Sequence, residues 1–259
     1  MSVFNKLLAS AGIGSAKVDT LLDRTTLRVG ETLEGEVHIQ GGSAEQQIDG
    51  IYLHLMTRYS QKHNDDKITY INFSLAQLEV SRPFTLRPGQ QLDVPVSLTV
   101  PLTTPVTMGR IPVWLKTGLD IDYAIDPKDT DQLEILPHPH MDKVLQAITH
   151  MGFRPKATTC EYNSRLSRGV PFVQELEFHP SATYAIGIRE LELIFFLKPE
   201  GLEVLVEVDR RGRGLGGLMQ RALDMDERWQ RLHFSQEELG RGRDYLIQQL
   251  SSTLAKLAG

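Results

Sequence analysis

The strongest constraint on the fold is a series of short apolar runs separated by glycine, proline, asparagine and aspartate. Within the run 48–59, Ile51, Leu53 and Leu55 alternate with polar or mixed positions, which places them on one face of a β-strand. Similar runs cover residues 17–22, 32–39, 68–73, 92–100, 111–125 and 133–136. Short strands at this spacing are typical of antiparallel sandwiches and barrels, so the fold class is mainly β.

A domain boundary is predicted at Pro137-His-Pro-His140, because two prolines in three residues prevent a central strand from continuing. Apolar residues from Met141 to Met151 then recur at helical spacing, and Gly152 suits the C-terminal cap. A second series of strands follows at residues 157–162, 173–178, 188–197 and 202–208. The turn Lys198-Pro-Glu-Gly201 predicts a hairpin between the last two.

Helices are predicted at both ends of the chain. Residues 3–11 form a short N-terminal helix, and Ser235-Gln-Glu-Glu238 is a capping box that opens a C-terminal amphipathic helix over residues 235–259. Gly240 and Gly242 weaken the first turns of that helix. Its leucine stripe packs on its own domain, pairs between subunits as a homodimer, or pairs with a helix of a partner protein.

The predicted organisation is therefore two tandem antiparallel β-sandwich domains. The N-terminal sandwich with its short helix spans residues 1–136, a linker with a short helix spans 137–155, the second sandwich spans 156–234, and the C-terminal helix spans 235–259.

Charge and cysteine content exclude several functional classes. The net charge of −5 argues against a dedicated nucleic-acid binder. The single cysteine, Cys160, excludes an internal disulfide and fits a reducing compartment. The first residues lack the apolar core of a signal peptide, and no run approaches the length of a membrane helix, so we expect a cytoplasmic protein without an integral membrane segment.

The second half of the chain contains one glycine-rich motif of a kind that binds phosphate in other proteins. Gly212-Arg-Gly214-Leu-Gly-Gly217 matches the dinucleotide fingerprint, whose glycines let a phosphate approach the backbone. That fingerprint requires a parallel βαβ unit, whereas the preceding strands predict an antiparallel hairpin. Binding of a small anion or phosphate at the Arg/Gly loop 210–217 is therefore the alternative function, and a loop of structural importance alone is the simpler interpretation.

No catalytic set is assembled by the sequence. His138, His140 and Asp142 have metal-binding side chains, but they lie around a proline in a linker and do not complete a site. Asp224, Asp226 and Glu227 adjoin several arginines, a pattern typical of local ion pairs. Cys160 lies in a strand pattern with no base beside it. We therefore expect no enzyme activity, no cofactor and no metal.

Several separated motifs resemble the SpoOM sporulation-control proteins of bacteria, and the resemblance extends over essentially the whole chain. These motifs are Leu8-Ala-Ser-Ala-Gly-Ile-Gly14, Ala16-Lys-Val-Asp-Thr20, Ile39-Gln-Gly-Gly42, Ile48-Asp-Gly-Ile-Tyr-Leu53, and Asp209-Arg-Arg-Gly-Arg-Gly-Leu-Gly-Gly217 followed by Asp226-Glu227.

The resemblance implies an arrestin-like arrangement of two sandwiches and a cytoplasmic, non-enzymatic regulator of sporulation or cell division. Such a regulator acts through protein partners. Carried over to this sequence, the C-terminal motif marks a set of partner-binding candidates: Arg210, Arg211, Arg213, Gly214, Gly216 and Gly217.

Overall fold

The chain divides into two units. The first unit comprises Met1–Arg58, Asn72–Thr107 and Pro112–Leu136. The second unit comprises Tyr59–Ile71, Met108–Ile111 and Pro137–Gly259. The structure is a computed structural model, and it describes residues 16–63, 65–121, 126–184, 187–210 and 229–258. The predicted helix over residues 3–11 lies outside the described residues.

The first unit contains nine strands in its described part, two of which continue into the second unit. They are β1 Lys17–Leu22, β2 Thr26–Arg28, β3 Thr32–Gln40, β4 Gln46–Lys62, β5 Ile68–Glu79, β6 Phe84–Leu86, β7 Gln91–Thr99, β8 Val113–Ile121 and β9 Lys128–Leu136. Strands β1, β3 and β7 form one antiparallel sheet. A second sheet takes β2, β9, β8 and β4 in that order, and β5 and β6 also pair with β4.

The core of this unit is formed by the alternating faces of the strands. Val37 and Ile39 of β3 are buried, as are Ile51, Leu53 and Leu55 of β4. This confirms the face predicted from the alternation in residues 48–59. The sequence did not predict the three-residue strands β2 and β6, because their runs are too short for a period of two to show.

The second unit adds an antiparallel sheet and three described helices. Its strands, in the order of the sheet, are β14 Gln230–Ser235, β13 Gly201–Arg210, β12 Ile188–Lys198, β11 Phe172–His179 and β10 Arg154–Tyr162. The helices are α1 Pro139–His150, α2 Gln236–Gly240 and α3 Arg243–Ala258. The hairpin predicted at Lys198–Gly201 is confirmed, since β12 and β13 pair from Lys198 opposite Gly201 onward.

The sheet of the second unit has two contrasting faces. One face carries Leu193, Val204 and Val206, which are fully buried. Helix α1 contacts β12, β13 and α3, while α3 also contacts β13. The described strands of this unit thus form one sheet, which is accompanied by helices.

The C-terminal segment consists of two helices where the sequence predicts one. The capping box at Ser235 and Glu238 is confirmed at the start of α2. The chain then turns at Gly242, whose φ of +92° belongs to the left-handed region that glycine tolerates. The leucine stripe Leu246, Leu250 and Leu254 on α3 is buried within its own unit. Pairing of this helix between subunits stays an untested prediction.

Candidate functional site

The partner-binding residues predicted from the sequence fall mostly outside the described part of the chain. The backbone of Arg210 ends β13, opposite Ile188 of β12. Arg211, Arg213, Gly214, Gly216 and Gly217 lie outside the described residues. The Arg/Gly site therefore stays a prediction.

A cluster of basic side chains surrounds one buried carboxylate on the sheet of the second unit. The side chain of Glu203 on β13 is only 1% exposed. Its Oε1 accepts a hydrogen bond from Arg168, and its Oε2 accepts one from the second guanidinium nitrogen of Arg168 at 3.3 Å. The ammonium of Lys198 lies 2.7 Å from the same Oε2. We call Glu203 with Arg168, Lys198, Arg231 and His233 the Glu203 cluster.

The local sequence explains how Arg168 reaches this carboxylate. Arg168 belongs to the loop between β10 and β11, and the side chain of Asn163 fixes the start of that loop. Its Oδ1 accepts hydrogen bonds from the backbone N–H groups of Arg165 and Leu166, at 3.1 and 2.9 Å. The guanidinium of Arg168 also lies over the ring of Phe196, 4.2 Å from its centroid. Arg168 is thus held by a bidentate ion pair and a cation–π contact together.

Ionisation of Glu203 reflects these partners. Burial disfavours the charged form, but the hydrogen bonds and positive charges of Arg168 and Lys198 outweigh burial and lower the pKa of Glu203 to about 2. Glu203 is therefore a carboxylate throughout the physiological pH range.

The remaining two members of the cluster lie on β14. His233 is directly opposite Glu203, and Arg231 is opposite Leu205 on the same face of the sheet. Their nitrogens lie 3.7 Å from the carboxylate oxygens of Glu203, beyond hydrogen-bond distance. Both side chains are more than half exposed, at 55% and 62%. Their donors consequently face solvent.

Further along the same face of the sheet, carboxylates form a row across three adjacent strands. Glu177 on β11 is opposite Glu192 on β12, which is opposite Glu207 on β13. Glu192 and Glu207 are buried. Lys156 bridges the edge of this row, with its Nζ 2.8 Å from both Glu177 and Glu190. Like charges directly opposite each other destabilise a sheet, and the ammonium of Lys156 offsets that repulsion at Glu177.

Between the basic cluster and the acidic row lies a small apolar group. Val173, Ile194 and Leu205 are buried there, and Phe196 and Trp229 pack against them. The face is therefore graded, from basic at the β12–β13 turn, through apolar, to acidic near the other end of the hairpin.

The Glu203 cluster was not predicted from the sequence. The alternation of glutamates in Glu190-Leu-Glu192 and along β13 did signal a charged sheet face. Lys198 is close to Glu203 in the chain, but the other partners come from a loop and from β14, 35 and about 30 positions away. No local pattern connects such distant positions.

Strand β5 exposes an apolar surface. None of its residues is buried, and alternate positions toward its start are exposed. Among these, Ile68 and Tyr70 are exposed by 55% and 69%. Both belong to the large apolar side chains that the described part of the chain exposes to solvent.

The side chain of His138 in the predicted linker caps a helix. His138 is the N-cap of α1, and its Nδ1 accepts a hydrogen bond from the backbone N–H of His140 at 3.1 Å. Within the described ranges, no group of three or more His, Cys, Asp or Glu is placed to hold a metal ion.

Cys160 lies in the interior of β10. It is buried, and burial together with the nearby charge of Glu161 raises the pKa of its thiol well above the ordinary value. A thiol in this environment is a poor nucleophile.

A second carboxylate group occurs in the first unit, on β1 and β9. Asp129 Oδ2 accepts a hydrogen bond from the backbone N–H of Thr20 at 2.8 Å. Burial, the charge of Asp129, a hydrogen bond with Asp129 and the charge of Asp19 raise the pKa of Asp131 to about 6. Asp131 therefore holds its proton to a higher pH than an ordinary aspartate does.

No described helix is both long and apolar enough to span a membrane.

Comparisons with known proteins agree on one family. The sequence model described as "SpoOM protein" matches residues 4–212. The sporulation-control protein Spo0M of Bacillus subtilis is 43% identical over 240 residues, which cover 92% of this chain and 93% of that protein. The crystal structure of Spo0M from Bacillus subtilis matches with a TM-score of 0.88 and 40% identity, covering 95% of this chain and 100% of that one. The chain therefore belongs to the SpoOM protein family.

Proposed function

We propose that this protein is a non-enzymatic regulator of sporulation that acts by binding other proteins, with cell division as a further process under its control. The sporulation role is supported by its relative in Bacillus subtilis, which is named a sporulation-control protein. The binding role is supported by the surface of the chain itself.

The observation that carries the binding role is the exposure of β5. Twelve residues form this strand, and each is exposed or half-buried. Half-buried apolar side chains such as Ile71 and Phe73 alternate with the exposed Ile68 and Tyr70. An exposed strand with apolar side chains is a hazard for aggregation unless a partner covers it, and strand-to-strand pairing is a common way to recognise a protein segment. We assign β5 as a partner-binding strand.

A paired substitution tests this assignment. Ile68→Ser with Tyr70→Ser removes the exposed apolar side chains of β5 and keeps a strand-compatible polar surface. The matched control is Leu102→Ser with Tyr162→Ser, which removes two other exposed apolar side chains outside β5. Circular dichroism and thermal melting establish that both variants fold.

The readouts are crosslinked partner capture in the native cell and sporulation of Bacillus subtilis lacking its own Spo0M and carrying each variant. We expect the β5 variant to lose captured partners and complementation, while the control retains both. A folded β5 variant that captures the same partners and complements like the unaltered chain contradicts the proposal.

The proposal extends to organisation and location. We infer two tandem domains in an arrestin-like arrangement, with the bounds predicted from the sequence, and a cytoplasmic protein. The division of the chain near Leu136 supports the domain bounds. Arg210 and the Arg/Gly loop after it remain proposed contacts, because their charge suits an acidic partner. A fluorescent fusion distributed through the cytoplasm is the expected result for location.

A further inference from the structure

We propose that the Glu203 cluster is a docking site for an extended, acidic protein segment that lies along β14. This inference rests on the proposed role in protein binding and adds the chemistry of a partner. Its basis is the charge of the cluster, its rigidity and the spacing of its exposed donors.

The Glu203 cluster carries an excess of positive charge. One carboxylate is surrounded by three basic side chains, those of Arg168, Lys198 and Arg231. Without counting His233, the cluster therefore has a net charge of +2. The chain as a whole carries −5. A local positive excess on an acidic protein attracts an anionic partner and orients it during encounter.

Two basic side chains of the cluster are held in place by other groups of the protein. Arg168 is fixed by two hydrogen bonds to Glu203 and by the ring of Phe196. Lys198 is fixed by the same carboxylate. Because these side chains are already ordered, binding an anion beside them costs little further conformational entropy. Glu203 thus acts as an internal anchor that holds the positive charge in place.

The two exposed basic residues of β14 have the spacing of alternate residues in an extended chain. Arg231 and His233 lie two residues apart on one face of β14, about 7 Å along the strand. Alternate side chains of an extended segment have the same separation. A segment with acidic residues at alternate positions therefore matches the spacing of these two strand positions.

Strand β14 also lies where an extended segment can pair with the sheet. In the described part of the chain, β14 is the last strand of its sheet, next to β13. Four of its six residues are exposed, including Arg231 and His233. The end of a sheet accepts an added extended segment through backbone hydrogen bonds, while side-chain charges select the sequence.

The test uses the full chain and a synthetic peptide of four Glu-Ser repeats, with four Gln-Ser repeats as the neutral peptide. Backbone amide spectra by NMR are recorded during each titration. We expect saturable shifts confined to β13, β14 and the β12–β13 turn with the acidic peptide, none with the neutral peptide, and weakening at higher salt.

Arg231→Glu removes one exposed donor and introduces repulsion, so it is expected to weaken acidic-peptide affinity by about tenfold or more. Arg154→Glu makes the same charge change at an exposed position at the start of β10 and is expected to bind like the unaltered chain. Equal binding by Arg231→Glu and the unaltered chain, or no localised shift at millimolar peptide, overturns the inference.

Other occupants give distinct results that also overturn it. The same titration is repeated with inorganic phosphate and with vesicles of anionic lipid. If one of these produces the localised shifts and the peptide does not, the cluster binds a different ligand. Self-association of the unaltered chain that Arg231→Glu abolishes would identify a second copy.

The proposed function fails separately from this inference. If Arg231→Glu retains every partner captured in the cell and the acidic peptide does not bind, the cluster is not the docking site while the role in protein binding stands. If the unaltered chain captures no partner, the proposed function falls, and the peptide titration alone decides whether the cluster binds acidic segments.

Discussion

The guanidinium of Arg168 lies 4.2 Å from the centroid of the Phe196 ring while it also hydrogen-bonds to both carboxylate oxygens of Glu203. A planar, forked cation is required for both contacts, and lysine offers neither the fork nor the stacked plane. The relationship therefore makes Arg168 more than a source of charge.

We expect Arg168→Lys to lower the free energy of unfolding by about 1–2 kcal/mol, because the bidentate pair and the stacking are lost while the charge is kept. Urea unfolding at neutral pH measures the change. Arg189→Lys is the control, since Arg189 is partly exposed and lies 3.8 Å from its carboxylate partner. Equal destabilisation by the two substitutions would show that the paired geometry of Arg168 contributes nothing.

Glu203 is expected to make the protein sensitive to acid. Its pKa is lowered in the folded state to about 2 from an ordinary value of 4.5, so the folded state holds this proton less tightly than the unfolded state does. Its contribution to stability is then fully present above about pH 4.5 and is lost as the pH falls toward 2.

Glu203→Gln tests this dependence. We expect it to destabilise the protein at pH 7 by about 2 kcal/mol, since a charged hydrogen-bond acceptor is removed from a buried site. It should also reduce the loss of stability between pH 6 and pH 3, as followed by urea midpoints. Glu200→Gln in the adjacent turn is the control. Parallel pH profiles for the unaltered chain and Glu203→Gln would contradict the assignment.

Asp131 is expected to act in the opposite direction. Its folded-state pKa is raised to about 6 from 3.8, so its contribution to stability is fully present below about pH 3.8 and is lost as the pH rises through 6. Asp131→Asn keeps the shape but cannot ionise. We expect this variant to gain stability relative to the unaltered chain as the pH rises from 5 to 8.

Thermal unfolding at the two pH values measures this gain, with Asp23→Asn at an exposed position as the control. A constant difference in stability between Asp131→Asn and the unaltered chain at both pH values would show that Asp131 does not titrate in this interval.

Gly201 is expected to be essential for the β12–β13 hairpin and its contact with β14. Its φ is +157°, and a Cβ on Gly201 would overlap the carbonyl oxygen of Phe234 on β14. That oxygen belongs to the backbone and cannot move without shifting the strand. We expect Gly201→Ala to destabilise the protein by about 2 kcal/mol or more, measured by chemical unfolding.

Gly240→Ala provides the contrast, because a Cβ at Gly240 meets no atom within 4 Å. This substitution in α2 is expected to leave stability unchanged or to raise it by about 0.5–1 kcal/mol through helix propensity. Similar losses at both glycines would mean that the close approach to Phe234 is unimportant.

Cys160 is expected to resist modification while the protein is folded. Its thiol is buried and its pKa is raised, so little thiolate is formed or reached by reagent. Mass spectrometry after iodoacetamide treatment at pH 8 should show slow alkylation in buffer and rapid alkylation in urea. Rapid alkylation of the folded chain would place Cys160 at an accessible surface.

The class of the fold followed from local patterns. Alternating residues such as Ile51 and Leu53 identified a strand face because the side-chain period of a strand is visible in any short window. The capping box at Ser235 and the hairpin turn before Gly201 were equally local, and both were confirmed. The sequence predicted a weakened turn at Gly242 but not the interruption between α2 and α3. Glycine tolerates the left-handed backbone observed there, but it adopts other conformations as readily.

The Glu203 cluster shows what the sequence could not decide. Each strand displayed its own charges, but a period of two does not say which strands become neighbours or in what register. Tertiary structure brought Glu203 opposite His233 and delivered Arg168 from a loop 35 positions earlier. The sequence by itself determined a mainly β protein with a helical C-terminus, because those features depend on nearby residues. Only the tertiary structure decided which charges meet and which side chains remain exposed, because these depend on contacts between residues far apart in the chain.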